Sequence, residues 1–181
     1  YLNNGLSWWT LTPYSTSYVR SVFSNGYTLN NSPSSTLDAR PAINLKSSVK
    51  IVSGDGSENN PYRLEGDNDS NLNGTLLNSR YSGEYITFGT GENTLYRIVS
   101  HETNGLTKIT SAEPLKSGGS FIATAFANNN SANYSSSNII GTFLNGEYLT
   151  SYVDSEYSGM IEPSTTWYLA TVGYGASYRL A

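Results

Sequence analysis

Short strand-like runs separated by turn residues are the feature that most constrains the fold of this chain. Residues 18–23 alternate between the two sides of an extended strand and stop at Asn25-Gly26. Both turn residues tolerate the positive φ of a tight hairpin, so the run at Tyr27–Leu29 can return as the second strand. The chain is therefore predicted to contain a hairpin here.

The second half of the sequence shows the same pattern three times. Tyr85–Phe88, Leu95–Val99 and Leu106–Thr110 have strand character, and glycine-containing turns separate them. Consecutive short strands joined by tight turns predict a three-stranded meander. Trp167–Val172 is predicted to be a last strand. The paired Trp8-Trp9 predicts a core position, with one ring inside and the other at the rim.

One segment has helical periodicity. Ser136 or Ser137 can cap it, and Asn145-Gly146 predicts a bend or stop. Its apolar face is formed by Ile139, Ile140, Phe143, Leu144 and Tyr148. The polar stretch Phe121–Ser135 before it is predicted to be a long surface loop. The fold class is therefore α+β and predominantly β, with antiparallel sheets, a three-stranded meander and one main helix.

Composition excludes several classes of protein. A chain of 181 residues can bury a real core, yet only 13% of its residues are charged and 15 are tyrosine. A net charge of −4, with ten scattered basic residues, argues against nucleic-acid binding. No apolar run approaches the ~18 residues of a membrane span. The absence of cysteine fits an extracellular protein of a Gram-positive cell surface.

The domain organisation is predicted from the order of these segments. Residues 1–66 have the character of the closing half of a β-rich module, and 67–81 that of a polar linker. Residues 82–181 have the character of the opening half of a second module, which can pair with 1–66. Both ends resemble module interiors, which predicts a stretch of a longer or repeating surface protein.

Several sequence patches together resemble an uncharacterised family of bacterial surface-protein domains of unknown function, common in Firmicutes. The closing motifs W-W-L-x-x-P and R-P-A-L-x-L correspond to Trp8–Pro13 and Arg40–Leu45. The opening motifs correspond to Gly83–Gly89, Tyr96–Val99 and Ile140–Tyr148. The halves stand in reversed order here. The closing half is also distantly similar to the end of C-type-lectin-like folds, so the resemblance implies a lectin-like antiparallel sheet.

The lectin-like resemblance implies an exposed binding face. Its candidate ligand-binding residues are Tyr14, Tyr18, Arg20, Phe23, Asn25, Tyr27, Asn30 and Asn31. Tyrosine and asparagine are typical of adaptable binding loops, because they give contact area and hydrogen bonds at modest entropy cost. The predicted ligand is a glycan or a host or cell-surface protein.

A candidate metal site lies in the predicted linker. Alternate oxygen donors can converge on one hard cation when such a loop curls, so calcium is the possible ligand. The donors are Asp67, Asp69, Asn71 and Asn73. The alternative is a solvated flexible linker. No other cofactor is expected.

Catalytic constellations are weak in this sequence. The single histidine, His101, lacks a nucleophile-elbow glycine pattern, and a lone histidine is more often a surface or packing residue. No catalytic residue is predicted. The function expected is a non-catalytic, adhesin-like extracellular module. The alternative is a structural subunit or repeat of a fibre or pilus, polymerised through complementary module halves.

Overall fold

The computed structural model describes residues 5–65, 74–172 and 176–180, and only the backbone of 168–172 and 176–180. Within these ranges the chain is α+β and predominantly β, with several antiparallel sheets and one main helix, which confirms the predicted fold class. The predicted metal ligands lie outside the described residues. They are Asp67, Asp69, Asn71 and Asn73.

The strands agree well with the predicted runs. They are β1 (Trp8–Pro13), β2 (Val19–Val22), β3 (Thr28–Asn31), β4 (Thr36–Asp38), β5 (Ala42–Leu45), β6 (Lys50–Ser53), β7 (Arg63–Leu64), β8 (Thr75–Leu76), β9 (Tyr85–Thr87), β10 (Leu95–His101), β11 (Thr107–Ser111), β12 (Lys116–Ser117), β13 (Ser120–Phe121), β14 (Ala123–Ala125), β15 (Trp167–Val172) and β16 (Ala176–Leu180). The α-helices are α1 (Ile139–Asn145) and α2 (Glu147–Ser151), and short 3-10 helices span Leu77–Ser79, Gly91–Asn93 and Ser158–Met160. In the described part of the chain, no helix is long and apolar enough to cross a bilayer.

The chain forms two compact units, and each takes segments from both sides of the predicted linker. Unit 1 comprises Tyr1–Arg40, Pro114–Tyr148 and Ser164–Ala181. Unit 2 comprises Pro41–Glu113 and Leu149–Pro163. The division at 66 and 82 into halves of successive modules stays a prediction about a longer protein.

Unit 1 is built on a five-stranded sheet with the order β14-β4-β1-β2-β3. Its neighbours are antiparallel except for the parallel pair β1 and β4. β4 pairs with β14, with Leu37 opposite Thr124. Segments from before and after the predicted linker therefore complete one sheet within the same chain.

The core of unit 1 packs helix α1 against this sheet. Its buried residues are Trp9, Val19, Phe126, Ala127, Ala132 and Ile140. Trp9 meets the Phe126 ring edge-on at 5.8 Å, and its Nε1 donates to the Thr124 carbonyl at 2.8 Å. The prediction that one of the paired tryptophans sits at the rim was wrong. Trp8 is 5% exposed and Trp9 6%, and the Arg40 guanidinium lies 4.7 Å from the centre of the Trp8 ring.

Unit 2 contains the predicted meander. The strands β9, β10 and β11 are antiparallel neighbours, and β5 adds to β11 with Ile43 opposite Ile109. The Arg-Pro-Ala motif therefore feeds a strand of this sheet. Phe88 anchors the core, with its ring 5.3 Å from that of Tyr96 and stacked at 5.8 Å on that of Tyr157. A second sheet has the order β7-β6-β8.

Helix α1 begins one residue later than a serine cap would allow. Asn138, not Ser136 or Ser137, is the N-cap, and its Oδ1 accepts from the Gly141 N–H at 2.8 Å. The cap falls there because Asn138 is still extended while Ile139 is already helical. The predicted stop is confirmed, since α1 ends at Asn145 and Gly146 separates it from α2.

The stretch predicted as one long surface loop is partly a strand. β14 (Ala123–Ala125) forms an edge of the five-stranded sheet, and Phe126 and Ala132 beyond it are fully buried. The polar composition of 121–135 hid these apolar anchors. β4 supplies the partner for β14, and that pairing is not visible in the local sequence.

Candidate binding site

The predicted ligand residues lie on one antiparallel ribbon, residues 14–31, which we call the aromatic hairpin. Its outer turn is closed by Phe23 and Tyr27, where the Phe23 N–H donates to the Tyr27 carbonyl at 2.8 Å. The Asn25 Oδ1 accepts from the Tyr27 N–H at 3.1 Å, and Gly26 has a φ of 87°. The turn therefore lies at Asn25-Gly26 as predicted, but Gly26 alone takes the positive φ and Asn25 does not.

A second turn joins β1 to β2. The Tyr18 carbonyl accepts from the N–H groups of Tyr14 and Ser15, at 2.8 and 3.1 Å. The Arg20 guanidinium carbon lies 5.1 Å from the centre of the Tyr14 ring, within range of a cation–π interaction. These contacts hold two of the predicted residues together.

Strand register divides the predicted residues between the two faces of the ribbon. Arg20 lies opposite Asn30, and Ser21 lies opposite Leu29. Opposite residues share a face, and successive residues alternate. Tyr18, Arg20 and Asn30 therefore share one face, whereas Phe23, Tyr27 and Asn31 share the other. Asn25 is in the turn between the strands.

The aromatic side chains of the hairpin are exposed on both faces. Tyr27 is 72% exposed, and Tyr14 and Tyr18 are each 46% exposed. Phe23 and Leu29 are also exposed, next to Tyr27 on its face. Asn31 differs, because its Nδ2 donates to the Oγ of the buried Ser21 at 2.6 Å. It holds the ribbon together, while its neighbours face solvent.

Sequence reasoning missed a cleft in unit 1, which we call the asparagine cleft. Its volume is about 790 Å³, and it lies between the loop that follows β14 and helix α1. The lining residues are Thr124, Ala127, Asn128, Asn129, Ser131, Asn133, Ser135, Ser137, Asn138, Ile139, Thr142, Phe143, Gly146 and Glu147. Nine of these fourteen carry an uncharged amide or hydroxyl group, and Glu147 is the one ionisable residue among them.

Local hydrogen bonds fix the loop wall of the cleft. The Ser131 N–H donates to the Asn129 Oδ1 at 3.1 Å, and the Asn138 Nδ2 donates to the Asn133 carbonyl at 3.3 Å. Gly141 allows the loop to pack on α1, because a Cβ there would come within 1.9 Å of the Ser135 carbonyl oxygen. Behind the wall, Ala127 belongs to the core that also contacts Phe143.

The polar groups of the cleft differ in whether the fold uses them. The Asn138 side chain caps α1, and the Asn129 Oδ1 closes a turn. The side chains of Asn128 and Asn133 make no hydrogen bond within the described residues, and both are exposed. The sequence signal that could have found the cleft is the concentration of asparagine at 128–130 and 133, beside the buried residues Ala127 and Ala132.

Unit 2 holds a connected polar cluster, which we call the Glu84 network. The Arg80 Nη2 lies 2.9 Å from the Glu84 Oε1, and the Tyr62 hydroxyl donates to the same oxygen at 3.2 Å. The Tyr81 N–H donates to the Glu84 Oε2 at 2.8 Å. Burial raises the pKa of Glu84, but the Tyr81 N–H and Arg80 outweigh it, so the pKa of Glu84 lies below its ordinary value of 4.5.

His101 lies beside this network, with both ring nitrogens in hydrogen bonds. Its Nε2 is 2.7 Å from the Arg80 carbonyl oxygen and its Nδ1 is 3.0 Å from the Thr107 Oγ1. The imidazole therefore joins β10 and β11 to the segment before β9. Across the described residues, no group of three or more histidine, aspartate or glutamate side chains is placed to hold a metal ion.

Comparisons with protein-family models, with curated proteins and with solved structures found no match to this chain. The resemblance to bacterial surface domains and the lectin-like interpretation therefore stay predictions.

Proposed function

We propose that this chain is a non-catalytic extracellular module of a bacterial surface protein that binds its ligand through the aromatic hairpin. The ligand class is a glycan or a protein on a host or neighbouring cell. The proposal rests on one observation, that the hairpin holds exposed aromatic side chains on a ribbon whose base is anchored in the core of unit 1.

The exposed aromatics carry a free-energy cost that recognition would offset. Burying a leucine or phenylalanine side chain stabilises a protein by roughly 1.5–3 kcal/mol relative to leaving it exposed. Tyr27, Phe23 and Leu29 are nevertheless exposed together, while Val19 on the same ribbon is fully buried. A cluster of exposed apolar groups on a rigid support is typical of an interaction surface.

The shape of the hairpin favours a protein over a small ligand. β3 is an edge strand, and its residues Thr28, Leu29 and Asn30 are exposed on both faces, so the ribbon protrudes. Small ligands generally require a concave site, whereas tyrosine and arginine on a protruding surface are typical energetic centres of protein interfaces. Tyr14, Tyr18, Tyr27 and Arg20 provide that chemistry.

The polar groups of unit 2 support the non-catalytic part of the proposal. Both nitrogens of His101 are engaged in structural hydrogen bonds, and Glu84 is held by Arg80 and Tyr62. His101 and Glu84 are therefore held by contacts within the protein, which leaves little acid–base chemistry for a substrate. Calcium binding by Asp67, Asp69, Asn71 and Asn73 stays a prediction, as does placement at the cell surface.

Binding screens with matched variants test the proposal. The protein is screened against host surface proteins and glycans, and the best ligand is titrated with Tyr27→Ala and Tyr18→Ala. Each substitution is expected to weaken binding about tenfold, because aromatic anchors dominate such interfaces. Tyr81→Ala is the control, since Tyr81 in unit 2 is also 72% exposed. Equal losses in all three variants, or no ligand in either screen, would count against the hairpin.

The alternative function is a structural subunit or repeat of an extracellular fibre or pilus. The exposed edge strand β3 favours it, because an edge can pair with a strand of another copy. The pairing of β4 with β14 and of β5 with β11 weakens the case for polymerisation through complementary halves. The two predicted halves already pair with each other within one chain. Sedimentation that shows only monomers at high concentration would contradict the alternative.

A further inference from the structure

The asparagine cleft has the chemistry of a binding site, and we infer that it binds a neutral saccharide. This inference goes beyond the proposed function and does not rest on it, because the cleft and the aromatic hairpin are made of different residues. The carboxamides of the cleft can hydrogen-bond to a sugar. A carboxamide offers both an NH₂ donor and a carbonyl acceptor, which match the paired hydroxyl groups of a sugar ring. The side chains of Asn128 and Asn133 have no hydrogen-bond partner within the described part of the chain.

The lining of the cleft combines polar and apolar groups. A sugar ring has a hydroxyl rim and a C–H face, so its site needs hydrogen-bonding groups together with apolar surface. Ile139 and Phe143 supply apolar surface from helix α1, and Ala127 supplies it from the opposite wall. The amides and hydroxyls of the loop supply the remainder.

The lining of the cleft carries little charge. Glu147 is the one ionisable residue among those lining the cleft, and no lysine or arginine is among them. A sialylated or sulfated glycan would have to bury its negative charge near a carboxylate without a basic partner, which is unfavourable. The lining therefore selects an uncharged ligand.

The cleft has preorganised walls and a volume suited to a small ligand. The Asn129 turn, the Asn138 cap and the close approach at Gly141 fix the walls before any ligand binds. A rigid site avoids part of the ordering cost of binding. The volume of about 790 Å³ lies within the range of small-molecule sites. The cleft therefore has room for a short oligosaccharide.

The experiment begins with an array of neutral, sialylated and sulfated glycans probed with the whole chain. The best neutral glycan is then titrated as a free oligosaccharide by calorimetry, which distinguishes a soluble sugar from a glycan presented on a surface. The double variant N128A/N133A is expected to bind about tenfold more weakly, since each lost neutral hydrogen bond costs a few-fold in affinity. The control Asn130→Ala, an exposed amide of the same loop that does not line the cleft, is expected to stay within about twofold of wild type.

A second measurement does not depend on variants. Titration of the wild-type protein with the same oligosaccharide is expected to shift the amide NMR signals of residues 127–147. Retention of the wild-type melting temperature by the double variant would show that its loss of affinity is not unfolding. Shifts confined to residues 14–31 would overturn the inference.

The remaining outcomes separate this inference from the proposed function. If saccharide binding survives Tyr27→Ala and falls in the double variant, the cleft is the site. If it falls with Tyr27→Ala and survives the double variant, the cleft inference fails while the hairpin proposal stands. Binding of no neutral saccharide, a preference for anionic glycans, or an equal loss with Asn130→Ala would each overturn the inference.

Discussion

The asparagine cleft of unit 1 and the Glu84 network of unit 2 use polar side chains in opposite ways. In the network, one carboxylate accepts from Arg80, Tyr62 and the Tyr81 N–H, so most of its hydrogen-bonding capacity is used inside the protein. In the cleft, Asn128 and Asn133 have side chains that no described residue satisfies. Satisfied polar groups stabilise a fold, while exposed amides without a protein partner bind water that a ligand group can replace. The comparison assigns stability to the network and recognition to the cleft.

The largest expected effect concerns the core behind the cleft. Phe126→Ala removes a fully buried ring that contacts Trp9 and Tyr134, so it should lower the free energy of unfolding by about 3–5 kcal/mol. The measurement is chemical denaturation monitored by tryptophan fluorescence. Phe121→Ala is the control, because Phe121 is 36% exposed, and it should cost less than about 1 kcal/mol. Equal costs would show that unit 1 is not centred on Phe126.

The next largest effect is expected when a substitution disrupts the Glu84 network. Glu84→Gln should destabilise the protein by about 1–2 kcal/mol at pH 7, because it weakens charge-assisted hydrogen bonds that are partly shielded from water. Since the pKa of Glu84 is lower in the folded protein than unfolded, its contribution is present above the unfolded pKa and is lost as pH falls through the folded pKa.

The measurement is unfolding free energy from pH 7 down to pH 3. The gap between wild type and Glu84→Gln should narrow as the solution becomes acidic. Glu156→Gln is the control, since Glu156 is an exposed carboxylate of the same unit, and its effect should stay within about 0.5 kcal/mol. A gap that stays constant with pH would contradict the role given to the ionised Glu84.

The smallest expected effect concerns the cap of helix α1, which forms part of the cleft wall. Asn138→Ala should cost about 1 kcal/mol, because it removes the cap of α1 and the bond to the Asn133 carbonyl. Ser136→Ala, at a position predicted as a cap from sequence, should have almost no effect. Thermal unfolding of the two variants measures the difference. A larger cost for Ser136→Ala would restore the serine cap.

Sequence reasoning succeeded where the deciding interactions are local. The Asn25-Gly26 turn, the meander strands and the stop at Gly146 all follow from residues within a few positions of each other. It failed by one residue at the helix cap, because serines and an asparagine stood in a row and only the backbone conformation selects among them. It also failed at Trp8, where Arg40 covers a ring that was expected at the rim.

The candidate site was only half predictable. Exposure of Tyr14, Tyr18, Phe23 and Tyr27 agrees with their selection as surface residues, but register placed them on two faces. A strand reverses its facing at every residue, so the exact pairing decides which side chains meet. The cleft was not predicted from the sequence, because the amide-rich loop has no periodicity of its own.

Local sequence patterns predicted the short strands, their tight turns, the broken helix and a surface with few charges that is rich in amides and hydroxyls, because turn chemistry and periodicity act over a few residues. The pairing of β14 with β4 and of β5 with β11 joins segments far apart in the chain, so it became visible in the folded protein alone. The loop of Asn128 and Asn133 packs on α1 through contacts within residues 124–147, such as Gly141 against Ser135. A cavity is a product of side-chain and backbone packing, and no periodic sequence pattern encodes that packing.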